Sequence, residues 1–361
     1  MGETMKKREM NFELLRILAM CMIIGLHYLD KGNVLGDFME IKGINSHLAW
    51  IFEAFFFCSV NVYVLISGYF LIEKETTFRK IKAIWGQVIF YSLFLGILAV
   101  CTQITGLEEI NIYRGAYYLF PVLTEHYWFV TDYVFLYLLL PVMNPVLSAM
   151  EQKRMRNLLF VFIGIFSVAK SVLPLSFAVD KRGYDILWFL CLYMTGAYCR
   201  RFGFPFLSTK ARGFGLYFIS SAAIFSGTLL LKEICLRTGH FKDIVTYAYS
   251  YNHILCYLAA IGLLAAFSHI KINPERAGRI IGLLSGASFG VYLIHEHIDW
   301  RYVWQKWLLT QKQAQSPAFV LLMLGSIIAV YLVCAGIELL RQQLFLKVGG
   351  RLRYGKKQVV K

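Results

Sequence analysis

Apolar runs of about twenty residues recur along the whole chain, separated by short polar or basic segments. A helix needs roughly that length to cross the hydrocarbon core of a bilayer, so the pattern predicts about ten spans. They lie near 12–29, 47–72, 82–104, 127–149, 157–175, 185–200, 213–231, 246–268, 280–298 and 317–340. The expected fold is therefore an all-α integral membrane protein, a single polytopic unit over 1–361 with no separate soluble domain. One run departs from plain hydrophobicity: NFELLRILAMCMIIGLHY, Asn11 to Tyr28, carries Glu13, Arg16 and His27. Ionisable groups inside a span are costly in lipid and usually face a protein interior or a wet cavity. From Arg16 to His27 is eleven residues, which returns to within about 20° of one helix face and rises about 16 Å. One stripe thus links a cation near one end of the span to an imidazole past its middle.

Composition agrees with this class: 58% of residues are hydrophobic and the mean hydropathy is +0.57. The formal net charge of +15 and pI of 9.4 raise the question of nucleic acid. The Lys and Arg residues flank the apolar runs instead, as topology requires. With a cytoplasmic N-terminus, inside segments hold about 24 basic residues and outside segments about 12, which satisfies the positive-inside rule and makes both termini cytoplasmic. Lys6, Lys7 and Arg8 before an apolar run resemble a signal peptide, but no small-residue cleavage site follows, so the run reads as a retained helix. The eight cysteines lie mostly within spans without a C-x-x-C pair, and read as small buried hydrophobes. The tail with Lys347, Arg351, Arg353, Lys356, Lys357 and Lys361 is a basic end suited to anionic lipid headgroups.

Four stretches carry candidate chemistry. After the second span, which contains Glu53, Asn61 and a turn-like Ser67-Gly68-Tyr69, the loop EKETTFRKIK supplies Arg79, Lys80 and Lys82. Beside the Arg16 end of the first helix these form an expected anion site, because Arg forks and Lys point charges suit phosphate. Glu53 is placed to match the depth of His27 and to orient its ring. The fourth span opens with His126-Tyr127-Trp128-Phe129 followed by Asp132, an aromatic and polar group at one membrane surface. In SGASFGVYLIHEHID, Ser288, Tyr292 and His295 are spaced by four and three and share one helix face, with His295 in the half where His27 lies. His295, Glu296 and His297 invite a zinc reading; residues two apart on a helix point about 200° apart, so no metal site is expected from that pair.

The pattern Glu13, Arg16, then ten residues and His27 resembles the Arg-x10-His signature of the acyltransferase 3 family, bacterial membrane enzymes that modify cell-surface glycans. LISGYFL at 65–71 with the basic loop after it, HYWFV at 126–130 and SFGVYLIH at 288–295 extend the resemblance over about 11–340. Two features depart from the family pattern: Ser59-Val60-Asn61 stands where members often have Gly-Val-Asp, and the basic loop holds a single Arg. The resemblance implies an acyl-CoA donor, most often acetyl-CoA, with no permanently bound cofactor. It implies a sugar hydroxyl as acceptor on a surface polysaccharide or lipid-linked sugar, contact with membrane lipid and glycan-assembly partner proteins, and residence in the bacterial cytoplasmic (inner) membrane.

On this reading His27 is the general base, Glu53, Tyr292 and His295 complete the catalytic group, and Arg16, Arg79, Lys80 and Lys82 hold the CoA head. His126, Trp128, Asp132 and Ser288 face the acceptor. A transporter or flippase using the same polar stripe is the competing reading, although no matched pair of interrupted helices is visible. A sensing module on the same scaffold is a third.

Overall fold

The computed structural model describes residues 9–74, 78–173, 180–272 and 277–358; the side chains of Arg79 and of the basic tail beyond Lys347 lie outside the described residues, as do Lys6, Lys7, Arg8 and Lys361. Fifteen α-helices are present among the described residues and no strand. In chain order they are α1 (Met10–Leu29), α2 (Gly43–Phe56), α3 (Ser59–Leu71), α4 (Phe78–Cys101), α5 (Ile112–Leu119), α6 (Trp128–Ala149), α7 (Gln152–Ile163), α8 (Ala169–Val172), α9 (Ile186–Phe202), α10 (Lys210–Thr238), α11 (Ile254–Ser268), α12 (Ala277–His295), α13 (Val303–Leu308), α14 (Thr310–Ala314) and α15 (Phe319–Gln358). Eight stretches are long and apolar enough to cross a membrane: α1, α2 with α3, α4, α6, α7 with α8, α10, α12 and α15 up to Lys347. The shorter α9 and α11, of 17 and 15 residues, occupy the two remaining stretches expected as spans. The chain is a multi-pass membrane protein.

Helix ends follow local chemistry. Asp185 and Thr209 accept hydrogen bonds from the backbone N–H groups of Trp188 and Arg212 and so start α9 and α10. Gly239, at φ +73°, closes α10 in the left-handed region where glycine pays no steric cost.

Helix α1 is central, touching α2, α3, α11, α12 and α15. Around it α3 packs on α9 and α10 on α11. The α3–α9 crossing corrects the turn-like reading of Ser67-Gly68-Tyr69, since these residues lie within an unbroken helix. Gly68 is there for close approach: a Cβ on it would overlap the Tyr193 carbonyl oxygen, and one on Gly196 the Leu65 carbonyl oxygen. Small residues on both helices let the backbones meet, the usual way membrane helices gain packing contact. Asn61, at the position where the family often has Asp, is fully used nearby. Its Nδ2 donates to the Tyr251 carbonyl at 2.7 Å and its Oδ1 accepts from Trp188 Nε1 at 3.0 Å. An aspartate there would turn a carboxylate oxygen toward that carbonyl.

Candidate functional site

Helices α1, α3, α4, α6 and α12 enclose a cavity of about 330 Å³. Arg16, Met20, Ile23 and His27 all line it, so the stripe expected on the first span faces this space along its whole length. Tyr63, Ser67, Tyr133, Tyr137 and Trp128 form one side; Ser285, Ser288 and Tyr292 of α12 form another. Ser288 and Tyr292 share this face as their spacing predicts, whereas His295, expected on the same face, does not line the cavity and turns instead to His27; the wall is mostly aromatic with scattered hydroxyls.

At one end, Arg16 donates to Glu13 Oε1 at 2.6 Å, while Glu13 Oε2 accepts from Ser285 Oγ at 2.6 Å. The guanidinium is therefore part-neutralised by a carboxylate on its own helix, and that carboxylate is tied to α12. Lys80 and Lys82 are exposed at the start of α4 and do not line the cavity; Ile84, one turn beyond Lys80 on the same face, does.

At the other end, the side chain of His27 meets α12. His27 Nδ1 lies 3.0 Å from His295 Nε2 and 3.1 Å from Glu296 Oε2. The second ring nitrogen of His295, Nδ1, lies 2.6 Å from the Val291 carbonyl oxygen, which can only accept. His295 therefore carries its proton on Nδ1 and presents Nε2 as an acceptor, and the proton of the neutral His27 ring is assigned to Nδ1. That leaves His27 Nε2 as the basic nitrogen of a side chain that lines the cavity.

Glu296 is itself held by Lys31, whose ammonium contacts both carboxylate oxygens, and by Arg301 at 3.7 Å. Burial pushes the Glu296 carboxyl above its ordinary range, and the Lys31 and Arg301 charges pull against that shift. His27, His295 and Glu296 place ligand atoms within 4.8 Å of one another, close enough for a metal ion in principle. The Lys31 ammonium already occupies the carboxylate, so the cluster carries its own cation. His297, two residues past the end of α12, reaches the Ser92 carbonyl at 3.1 Å.

The carboxylate beside His27 is thus Glu296 and not Glu53. Glu53 is buried on α2 without a bond to His27, and its Oε2 has no hydrogen-bond partner among the described residues. The reason is directional: depth on a neighbouring helix fixes height and leaves open which way the side chain turns. His126 is also placed apart from the cavity. Its Nδ1 lies 3.2 Å from the Tyr117 carbonyl and its Nε2 accepts from the Ile298 N–H at 3.2 Å, so it ties a loop to the turn after α12. Asp132 is half-buried and does not line the cavity, whereas Trp128 does. Tyr292 lines the cavity and is 5% exposed; its hydroxyl oxygen is buried beside the Phe129 backbone and makes no side-chain hydrogen bond among the described residues.

Sequence reasoning singled out neither Lys31 nor the pairing of Glu296 with His27. Lys31 lies four residues after His27, but α1 ends at Leu29, so helical spacing does not reach it. Glu296 lies one residue past the end of α12, where helical phase no longer reports direction.

Fold and site together define a multi-pass helical membrane protein with a buried histidine–carboxylate pair at one end of an intramembrane cavity and an arginine at the other. The family model of the acyltransferase 3 domain matches residues 11–336, most of the chain. The chain belongs to that family of membrane acyltransferases. No curated protein and no solved structure matches it.

Proposed function

We propose that the protein transfers an acyl group, acetyl before others, from acyl-CoA to a hydroxyl of a cell-surface or lipid-linked glycan. The observation that carries this reading is one continuous cavity with Arg16 at one end and His27 at the other. Arg16 binds the anionic part of CoA from the cytoplasmic side, helped by Arg79, Lys80 and Lys82 at the start of α4. The pantetheine arm then runs along the stripe, and the ~16 Å rise between the two residues suits it.

At the far end, His27 Nε2 takes the acceptor's hydroxyl proton as its oxygen attacks the thioester carbonyl. The new C–O bond forms, the C–S bond breaks, and CoA leaves as a thiol after proton return from His27. His295 Nε2 accepts the Nδ1 hydrogen bond, and Glu296, 3.1 Å from the same nitrogen, steadies by its charge the imidazolium that forms, as a carboxylate does in a Ser-His-Asp triad. His295 is a positioning residue, because both of its nitrogens are engaged. The Tyr292 hydroxyl supplies a donor to the carbonyl oxygen as it gains charge.

The test is transfer of label from radiolabelled acetyl-CoA by the purified protein in lipid, with membrane lipid extract as acceptor. Label is expected in a glycan or lipid-linked product with wild type and is absent with His27→Ala. A folded wild-type protein that neither binds CoA nor transfers label would return the chain to the transporter reading.

A further inference from the structure

Two further cavities end on the same cluster. The first is a groove of about 290 Å³ between α4, α12 and α15. Its lining includes Leu95, Leu98, Ala329, Val333, Trp304 and His295, with no polar surface presented to it. Leu98 and Val333 are 36% and 62% exposed, and both stand on helices apolar enough to span a membrane, so the groove opens sideways where hydrocarbon surrounds the protein. Its inner end is His295, the hydrogen-bond partner of His27.

The second is a cleft of about 530 Å³ lined by Lys31, Asn33, Gln305, Lys306 and Lys312, among others. Three ammonium groups line it and no carboxylate does; Lys31 is already paired with Glu296, which leaves Lys306 and Lys312 without a carboxylate in the lining. Gln305 is 2% exposed, and its Oε1 has no partner among the described residues. The short helix α13 separates the two spaces, with Trp304, Trp307 and Leu308 on the groove and Gln305 and Lys306 on the cleft.

Three spaces therefore meet at one cluster, each through a different member: the long cavity through His27, the groove through His295, the cleft through Lys31. A free polysaccharide has no use for a wholly apolar channel that opens to lipid, and a neutral glycolipid has none for three lysines. We propose that the acceptor sugar is presented on a phosphate-bearing lipid. Its hydrocarbon chain lies in the groove between α4 and α15, its phosphate over Lys31, Lys306 and Lys312, and its sugar hydroxyl at His27. This rests on the reading of His27 as the transfer site and narrows the acceptor to a lipid-anchored phosphosugar.

The test uses the full chain in nanodiscs of zwitterionic phosphatidylcholine and a diazirine-bearing isoprenyl phosphate as probe, read as crosslinking yield with mapping of the labelled residues. Label is expected on groove residues such as Leu98 and Val333. Filling the groove by Val333→Trp removes contact with a few methylene groups, and Lys306→Glu with Lys312→Glu reverses the cleft's charge; each change is expected to weaken capture by about tenfold. Ala329→Phe fills the same groove from a second position and serves if Val333→Trp does not elute as a monodisperse protein.

Isoprenyl alcohol, inorganic phosphate and phosphatidylglycerol are the competitors, and each is expected to compete weakly. Capture that only one of the two changes weakens, that phosphatidylglycerol suppresses as well as the unlabelled probe does, or that inorganic phosphate alone displaces would overturn the proposal. His27→Ala keeps lipid capture while losing transfer. Loss of the catalytic reading and loss of this one are thereby told apart.

Discussion

The two ends of α1 hold their polar groups by different means. Near the start of the helix, Arg16 is paired with Glu13, three residues away on the same helix, and its side chain remains 29% exposed. At the other end, His27 is fixed by His295 and Glu296, more than 260 residues away in the chain, and the Lys31–Glu296 pair beside it is nearly closed to solvent, at 13% and 5% exposure. A pair three residues apart on one helix, with its guanidinium part-exposed and its carboxylate 12% exposed, can shift to take up a ligand's charge at modest cost, since helical pairs of that spacing contribute about 0.2–0.5 kcal/mol. A buried network assembled from distant segments cannot give way without breaking its partners, where removal of one member costs about 3–5 kcal/mol. The difference assigns binding to the Arg16 end and chemistry to the His27 end.

The strongest way to break this division is His27→Ala. Loss of the base is expected to lower kcat/KM by about 10²–10⁴-fold, with acetyl-CoA affinity little changed in a direct binding measurement. A large loss of affinity with chemistry preserved would reverse the assignment of the two ends.

The Lys31–Glu296 pair offers the next largest effect. Glu296→Gln leaves the Lys31 ammonium buried without its counter-ion, and Lys31→Met leaves the buried carboxylate with only Arg301, at 3.7 Å. Each is expected to destabilise the protein by roughly 3–5 kcal/mol, while the double variant recovers much of that loss because no unpaired charge remains. Thermal unfolding in detergent reads the stability, and turnover reads the chemistry separately. Recovered stability with activity still low is the expected result, since the double variant lacks the carboxylate that holds His27. If activity returned with stability, Glu296 would be a structural residue alone.

The same contrast explains what the sequence revealed. Arg16 and His27 follow from helical period on one element, and the structure puts both on the cavity with Met20 and Ile23 between them. Ser288 and Tyr292 follow from the same rule on α12. The all-helical, multi-pass class was readable because membrane spans declare themselves by length and hydropathy, although eight helices meet that standard among the described residues where about ten runs were expected. Partners across elements were not: Glu53, expected at the depth of His27, makes no bond to it, while Glu296 stands one residue beyond the last helical position of α12. Gly68 read as a turn because glycine punctuates chains in water, whereas in α3 it admits the Tyr193 carbonyl. Period and composition fix which face of an element is special. They do not fix which distant face it meets.

A smaller effect is expected at the binding end. Arg16→Ala removes one charge-assisted contact, worth about 1.5–3 kcal/mol when a charged group is involved, so KM for acetyl-CoA should rise by about 10–100-fold. Turnover at saturating donor should change little, and steady-state kinetics over a range of acetyl-CoA concentrations separates the two. An equal fall in kcat would mean that Arg16 acts on the reacting atoms, or that the Glu13–Ser285 tie to α12 transmits its loss to His27.

Glu13→Gln sharpens the comparison with the smallest change. The amide retains a hydrogen-bonding oxygen for Ser285 and lacks the charge that now offsets Arg16. If Glu13 mainly masks Arg16, the variant exposes more positive charge to the donor's phosphates, and KM should fall by about twofold, the size of a part-exposed helix ion pair. If Glu13 instead holds the guanidinium in position, KM should rise in the direction of Arg16→Ala. Salt separates these cases further, because a masking effect weakens as ionic strength rises and a positioning effect does not. A fall in KM that disappears at high salt would show that the local pair at this end tunes charge, in contrast to the fixed geometry that surrounds His27.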